Sequence, residues 1–426
     1  MSRPLNALPA SDAARRLQRR ELSAQALLRD CLARIEARES EVRAFVCLDA
    51  EAALAQARAL DAGALRGPQH GLPLAGKDIF DTHDLPTEMG STIFAGHRPR
   101  VDAAAVALCR EAGALVIGKT VTTEFANMTA GVTRNPFNPA HSPGGSSSGS
   151  AAAVADAMVP LALGTQTAGS IIRPAAFCGI VGIKPSFGRV PRAGVKPNAD
   201  SMDTVGGFGR TVADAALLAS VLAGDARLRT QAPPETLRIG LVQGPDWHQA
   251  EEDVIACWER AVRALTPQAA RCEDAPLPPD FADVAAVQAT IQAAETAQAL
   301  AFEHRHHRAQ LSEALVALLD KGRAVDAETL LAQRARAERW RGEIDALFER
   351  CDVLLAPSAV DEAPEGLQFT GDPIFCRPWS LLGLPCVHLP FATGSTGLPV
   401  GLQLVGRHGD DHRLLAAAQW CMDRLG

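Results

Sequence analysis

Apolar and polar positions alternate along this chain in short blocks whose period keeps changing. Leu27, Leu28, Cys31, Leu32 and Ile35 recur at spacings of three and four, which predicts an amphipathic helix with Ser23 placed to cap it. Val42–Leu48 is short and apolar enough for a strand, and Glu51–Leu60 returns to helical character. Leu72–Phe80 reads as a strand or hairpin start, Ala103–Glu111 as a helix and Ala114–Ile117 as a buried strand. Leu237–Val242, Val353–Leu355, Cys386–Leu389 and Val400–Val405 add further strands. This order predicts an α/β fold, a large mixed β-sheet core covered by helices on both faces. From about 281 to 350 the pattern turns helix-rich and strand-poor, which we read as an insertion beside the functional site within a single domain spanning 1–426. No internal repeat is evident.

Composition narrows the classes. Hydrophobic residues make up 47% and charged residues 21% of 426, an ordinary globular balance. The net charge of -7 is spread without a basic block, which argues against a nucleic-acid partner. The Arg-rich stretch Arg15 to Arg20, with Arg29 and Arg34, is interleaved with Leu and Ala and reads as a solvated helix face. Residues 1–10 lack the apolar core of a signal peptide, and the long uncharged stretches are too rich in Gly, Ser, Thr and Pro to span a membrane. Ten scattered cysteines without a CxxC pair suit reduced thiols in the cytoplasm better than a disulfide frame or zinc site. Only five lysines occur, Lys77, Lys119, Lys184, Lys196 and Lys321, the other basic positions being Arg. A buried lysine can lose its proton and serve as a base, whereas arginine does not, so each is worth noting.

Chemistry concentrates in residues 142–174, SPGGSSSGSAAAVADAMVPLALGTQTAGSIIRP. Structured apolar sequence and a second small-residue turn follow the Gly/Ser run at once, so it is not a flexible linker. The run lacks the Lys-Ser or Lys-Thr of a phosphate-binding loop, and no G-x-S-x-G elbow is present. What stands out is a pair of serines, Ser146 and Ser170, each in a turn of small residues. With Ser170 as nucleophile, the amides of Thr167, Ala168, Gly169 and Ser170 would form the oxyanion hole. A serine hydroxyl needs a base. Lys77, in the apolar context LPLAGKDIF, is one candidate, with an ion pair to Asp78 as its structural alternative. His141, just ahead of a proline-containing turn, is another, though without an evident orienting carboxylate.

These residues resemble the amidase signature family over nearly the whole chain. GLPLAGKDIFDT at 71–82, the block from Ser142 to Pro174 and GLPVGLQLVG at 397–406 carry the match, with Gly182–Pro185 and Asp203–Gly206 in support. The resemblance implies the amidase signature fold and a Ser–cis-Ser–Lys mechanism. In it Ser170 attacks a carboxamide, Ser146 follows a cis Gly145–Ser146 bond and relays the proton, and neutral Lys77 is the base. It places Ser147 and Thr165 among the supporting and substrate-binding positions and requires no metal or cofactor. Many members, including the A subunit of glutamyl-tRNA amidotransferase, read GTDTGGS followed by Ile-Arg-Gln-Pro. Here Gln166, Ala168 and Ile171-Ile172-Arg173-Pro174 move the arginine one residue later, a pattern that looks like bacterial malonamidases. By that likeness Arg173 would clamp a substrate carboxylate, the alternative being a scaffold salt bridge. Ala168 in place of glycine narrows the backbone angles open to the oxyanion turn.

The expected activity is therefore hydrolysis of a small, malonamate-like carboxamide by a cytoplasmic amidase. Its expected partners are a small amide and, from related enzymes, a second copy in a homodimer; no nucleic acid or membrane is expected. Two alternatives stand beside it: a glutaminase-type A subunit serving a tRNA-dependent amidotransferase, and a family member that only binds ligand. Glu303, His304, His306 and His307 lack the H-E-x-x-H order and read as an exposed helix face. Asp372, Arg377 and Trp379 are expected either at the substrate mouth or in a simple turn, and Cys178 in the core.

Overall fold

In the computed structural model, which describes residues 4–230 and 232–425, eleven strands form one mixed sheet. In chain order they are β1 (Phe45–Leu48), β2 (Pro73–Lys77), β3 (Leu115–Thr120), β4 (Leu161–Gln166), β5 (Val181–Lys184) and β6 (Thr204–Gly209). They continue with β7 (Arg238–Leu241), β8 (Arg271–Asp274), β9 (Val353–Pro357), β10 (Cys386–Thr393) and β11 (Pro399–Val405). Across the sheet the order is β1-β3-β2-β4-β6-β5-β10-β11-β9-β7-β8. β3, β2 and β4 run parallel, as do β9, β7 and β8, and every other neighbouring pair is antiparallel.

Helices α1 (Ala10–Gln18), α2 (Ala24–Val42), α3 (Ala50–Ala62) and α4 (Ala104–Glu111) precede the Gly/Ser block. Within and after it come α5 (Ser148–Ala155), α6 (Ile172–Phe177), α7 (Val212–Leu222), α8 (Arg227–Thr230) and α9 (Glu252–Leu265). The strand-poor region holds α10 (Val284–Ala299), α11 (Ala301–His306), α12 (Glu313–Arg323) and α13 (Ala327–Asp345). Last come α14 (Arg377–Leu381) and α15 (Asp411–Leu425). Alternation along β9 shows how both faces are covered. Val353 and Leu355 pack with α9 and α15, whereas Leu354 and Ala356 pack with α10, α13 and α14. Each such leucine contributes about 1.5–3 kcal/mol by leaving water.

The Ser23 hydroxyl caps α2 by accepting from the Ala26 amide at 3.1 Å. The strand expected from Val42 starts only at Phe45. Val42 closes the helix, Arg43 turns to φ 55°, and the Glu39 carboxylate accepts the Ala44 and Phe45 amides at 3.1 and 2.8 Å, tying the chain to the helix end. The Arg-rich face is only partly solvated: Arg34 reaches the buried carboxylate of Asp156 at 2.7 Å. The α10–α13 region sits against the loops that carry the serines' surroundings. Thr296 Oγ1 donates to Asn198 Oδ1 at 2.6 Å, and the Ser201 amide and hydroxyl both donate to Glu295 Oε2 at 2.9 Å. Among the described residues no helix is long and apolar enough to cross a membrane.

Candidate active site

Lys77 is the last residue of β2, and the parallel pairing of β2 with β4 brings its end alongside Thr165, 88 positions away in sequence. Its side chain is fully buried. Nζ donates to Ser146 Oγ at 2.7 Å and to Thr165 Oγ1 at 2.8 Å. Burial pushes this amine down to about 7, opposed only by the negative charge of Asp203. Taking an ammonium out of water favours the neutral amine, and a neutral amine beside a hydroxyl can accept its proton. The alternative ion pair with Asp78 does not form. Asp78 pairs instead with Lys119, Nζ to Oδ1 3.1 Å, both side chains being buried.

Ser146 lies just ahead of α5, and the Gly145–Ser146 peptide bond is cis. Its carbonyl accepts the Thr123 amide at 3.2 Å. Ser147 and Thr165, expected among the supporting and substrate-binding positions, bond to each other, and Thr165 also to Lys77. Ser147 is fully buried; its hydroxyl donates to the Thr165 carbonyl at 3.3 Å and accepts the Thr165 amide at 3.4 Å. The Thr165 hydroxyl is taken up by Lys77.

The turn from Thr167 to Ser170 joins β4 to α6 and is shaped by side chains that sequence reading did not assign. Gln166 Oε1 accepts the amides of Ile171 and Ile172 at 2.8 and 3.0 Å, while its Nε2 donates to Ser380 Oγ at 3.0 Å. The Ser380 hydroxyl donates to the Ala168 carbonyl at 2.6 Å. Thr167 Oγ1 donates to Asp203 Oδ1 at 2.6 Å, and Asp203 Oδ2 accepts the amides of Asn198 and Ala199. The amides of Thr167, Ala168, Gly169 and Ser170 have no acceptor among the described residues, nor has the Ser170 hydroxyl a partner. Four free donors in one turn suit a developing oxyanion. Ala168 is not among the residues of positive φ, so a side chain there meets no left-handed backbone strain. Gly169 is required by space: a Cβ there would stand 2.8 Å from Pro373 Cβ.

Arg173, on α6, is 6% exposed and donates through Nη2 to the Gly145 carbonyl at 2.6 Å and to Thr370 Oγ1 at 3.3 Å. Its Nε has no partner. Among the described residues no carboxylate stands within ion-pair reach of it, so the scaffold salt bridge is not formed. Burial pushes the guanidinium down to about 10, leaving it charged at neutral pH. His141 Nδ1 bonds the Ala363 carbonyl at 2.8 Å, in a loop bridged to Glu365, and it is the amine of Lys77 that meets Ser146. Cys178 is buried with its thiol pushed up by burial. Trp379 belongs to the core rather than to a mouth, being 2% exposed. The Glu303 group is not an exposed face throughout, since Glu303 is buried against Lys196 at 2.6 Å and His304 bonds Asp320 at 3.1 Å; His306 and His307 lie tilted against the ring of Phe302.

Known proteins extend this picture. In Chloroflexus aggregans, the A subunit of glutamyl-tRNA(Gln) amidotransferase is 36% identical, covering 96% of this chain and 95% of its own. Its counterpart in Anaeromyxobacter sp. is 37% identical over 95% and 94%. A crystal structure of an amidase superposes with a TM-score of 0.91 at 33% identity, covering 98% of this chain and all of that one. The peptide amidase of Stenotrophomonas maltophilia gives a TM-score of 0.81 at 30% identity, over 99% and 97%. With residues 26–415 matching the Amidase family profile, this chain belongs to the amidase signature family and is an enzyme acting on carbon–nitrogen bonds.

Proposed function

We propose that this enzyme releases ammonia from a small carboxamide carrying a free carboxylate, through an acyl-enzyme on Ser170. The observation that carries the reading is the buried amine of Lys77, 2.7 Å from Ser146 Oγ and pushed down to about 7. Neutral Lys77 accepts the Ser146 proton, Ser146 takes the Ser170 proton, and Ser170 Oγ attacks the amide carbon. The amides of Ala168, Gly169 and Ser170 receive the oxyanion, with the side chain of Thr167 bracing the turn against Asp203. The proton returns along the same path to the leaving nitrogen, the C–N bond breaks and ammonia departs. Water then attacks the ester, losing its proton to the same relay, and restores the free serine.

Two substrate readings share this chemistry. The similarity to amidotransferase A subunits favours an amide of the glutamine kind, cleaved by a chain that works with further subunits. The position of Arg173 three residues after Ser170 favours a malonamate-like substrate cleaved by the chain alone, as a monomer or homodimer. A buried guanidinium without a carboxylate partner, its Nε free, suits both, since both substrates present a carboxylate. Ammonia release from glutamine and from malonamate, with and without co-purifying chains, separates them. In either case Ser170→Ala is expected to abolish release, and more than a few per cent residual activity would reject the mechanism. Arg173→Lys keeps the charge but not the planar fork, so its loss should fall on KM for acidic amides; an unchanged KM would reject the clamp.

A further inference from the structure

The segment from Thr370 to Arg377 folds over the oxyanion turn and carries charges that find no opposite charge within ion-pair reach among the described residues. Thr370 Oγ1 accepts from Arg173 Nη2 at 3.3 Å. Gly371 has φ +85°, and a Cβ there would stand 3.1 Å from Arg173 Cδ. Pro373 and Cys376 pack on Gly169, to whose Cβ position their own Cβ atoms stand at 2.8 and 3.2 Å. Asp372 therefore lies between a residue touching Arg173 and a residue touching the oxyanion turn. Its Oδ1 is enclosed without a hydrogen-bond partner. Arg377 opens α14 and is held from the far side by Gln288 Oε1 of α10. Burial pushes its guanidinium down, and the neighbouring carboxylate of Asp372 is the strongest influence in the other direction. Yet among the described residues neither Asp372 nor Arg377 nor Arg173 forms an ion pair. Partly desolvated charges of both signs, left unpaired beside a reactive turn, are what a ligand of matching charge would complete.

We propose that Asp372 and Arg377 are a specificity-determining pair which, with Arg173, recognises a carboxylate and a neighbouring N–H donor on the substrate, beyond the amide that is cleaved. The inference rests on the amidase reading above. Two guanidiniums take the carboxylate, and the free oxygen of Asp372 accepts the N–H. That chemistry belongs to amino-acid side-chain amides, whose donor is an ammonium, and to carbamoyl amino acids, whose donor is a ureido N–H. A plain dicarboxylic monoamide lacks the donor.

The test uses matched pairs differing only at that donor: glutamine against 4-carbamoylbutyrate, and N-carbamoylglycine against succinamate. Purified wild type should prefer the donor-bearing member of at least one pair in kcat/KM by about ten- to a hundredfold, the range of a hydrogen bond to a charged group. The pair that shows the preference tells ammonium from ureido recognition. Asp372→Asn should bring that ratio close to one, with the loss on KM, and Arg377→Lys should raise KM for both members; a melting curve confirms that each variant is folded. A wild-type ratio near one in both pairs, or a ratio unchanged in Asp372→Asn, overturns the proposal while leaving the amidase reading intact. Failure of wild type to release ammonia from any amide overturns both.

Discussion

Replacing Lys77 with methionine removes the buried amine while keeping an unbranched side chain of similar length. The fall from 10.5 to about 7 corresponds to roughly 5 kcal/mol in favour of the neutral form inside the fold. An unfolded chain holds this proton up to about pH 10.5 and the folded chain only below about 7. Between those values the unfolded state binds more protons, so this group makes wild type more stable as pH rises, by about 1.4 kcal/mol per pH unit. Above 10.5 both states are neutral and the effect levels off. Lys77→Met abolishes it, so the variant's stability relative to wild type should be greatest near pH 6 and decline steadily towards pH 10. Urea unfolding of both proteins at pH 6.5, 8 and 9.5 measures that difference. Activity should move in parallel: wild-type kcat/KM rises through about pH 7 to a plateau, and the variant loses about 10²–10⁴-fold. A stability difference independent of pH, with a flat wild-type activity profile over the same range, would refute a neutral Lys77.

Other parts of the site respond differently. Lys119→Met should destabilise the fold by about 3–5 kcal/mol, because it leaves the buried Asp78 carboxylate without its cation; an unfolding midpoint equal to that of wild type would contradict this. Gly169→Ala drives a methyl to 2.8 Å from Pro373 Cβ, so about 1–3 kcal/mol of stability should be lost along with ammonia release. Normal activity there would show that the turn has room to relax. Asp203→Asn weakens the acceptor of Thr167 and removes the charge that steadies protonated Lys77, so the ascending limb of the pH–rate profile should move to lower pH; a limb unmoved or displaced upward would exclude that coupling.

Much of this architecture is legible in the residues, and the exceptions have physical causes. Strands such as β9 and β11 announce themselves through apolar side chains of the kind that cover a buried sheet. β4 and β6 do not, because LALGTQ and TVGGFG place glycine where larger residues would signal a strand. Those glycines serve close approach of the neighbouring strands: a Cβ at Gly206 would meet the Ile183 carbonyl at 2.1 Å, and one at Gly207 the Ala162 carbonyl at 2.3 Å. β8, RCED at the sheet edge, is polar and mostly exposed and carries no apolar pattern. In the site, Ser146 and Ser170 stand out through their turns of small residues and Lys77 through its apolar context. Their braces do not, since Gln166–Ser380 and Thr167–Asp203 join residues 214 and 36 positions apart and depend on the finished sheet. A lysine-poor composition pointed to Lys119 as much as to Lys77, and only packing shows that one is paired and the other is not.

The most direct measurement is covalent. Incubation with an activated phosphonate or an amide-derived acylating probe, followed by intact-mass analysis and peptide mapping, should place a single adduct on Ser170. Labelling should be fast above pH 7 and slow below it, as the amine of Lys77 gains its proton. An adduct on Ser146, or labelling of Ser170 whose rate ignores pH and survives Lys77→Met unchanged, would contradict the account.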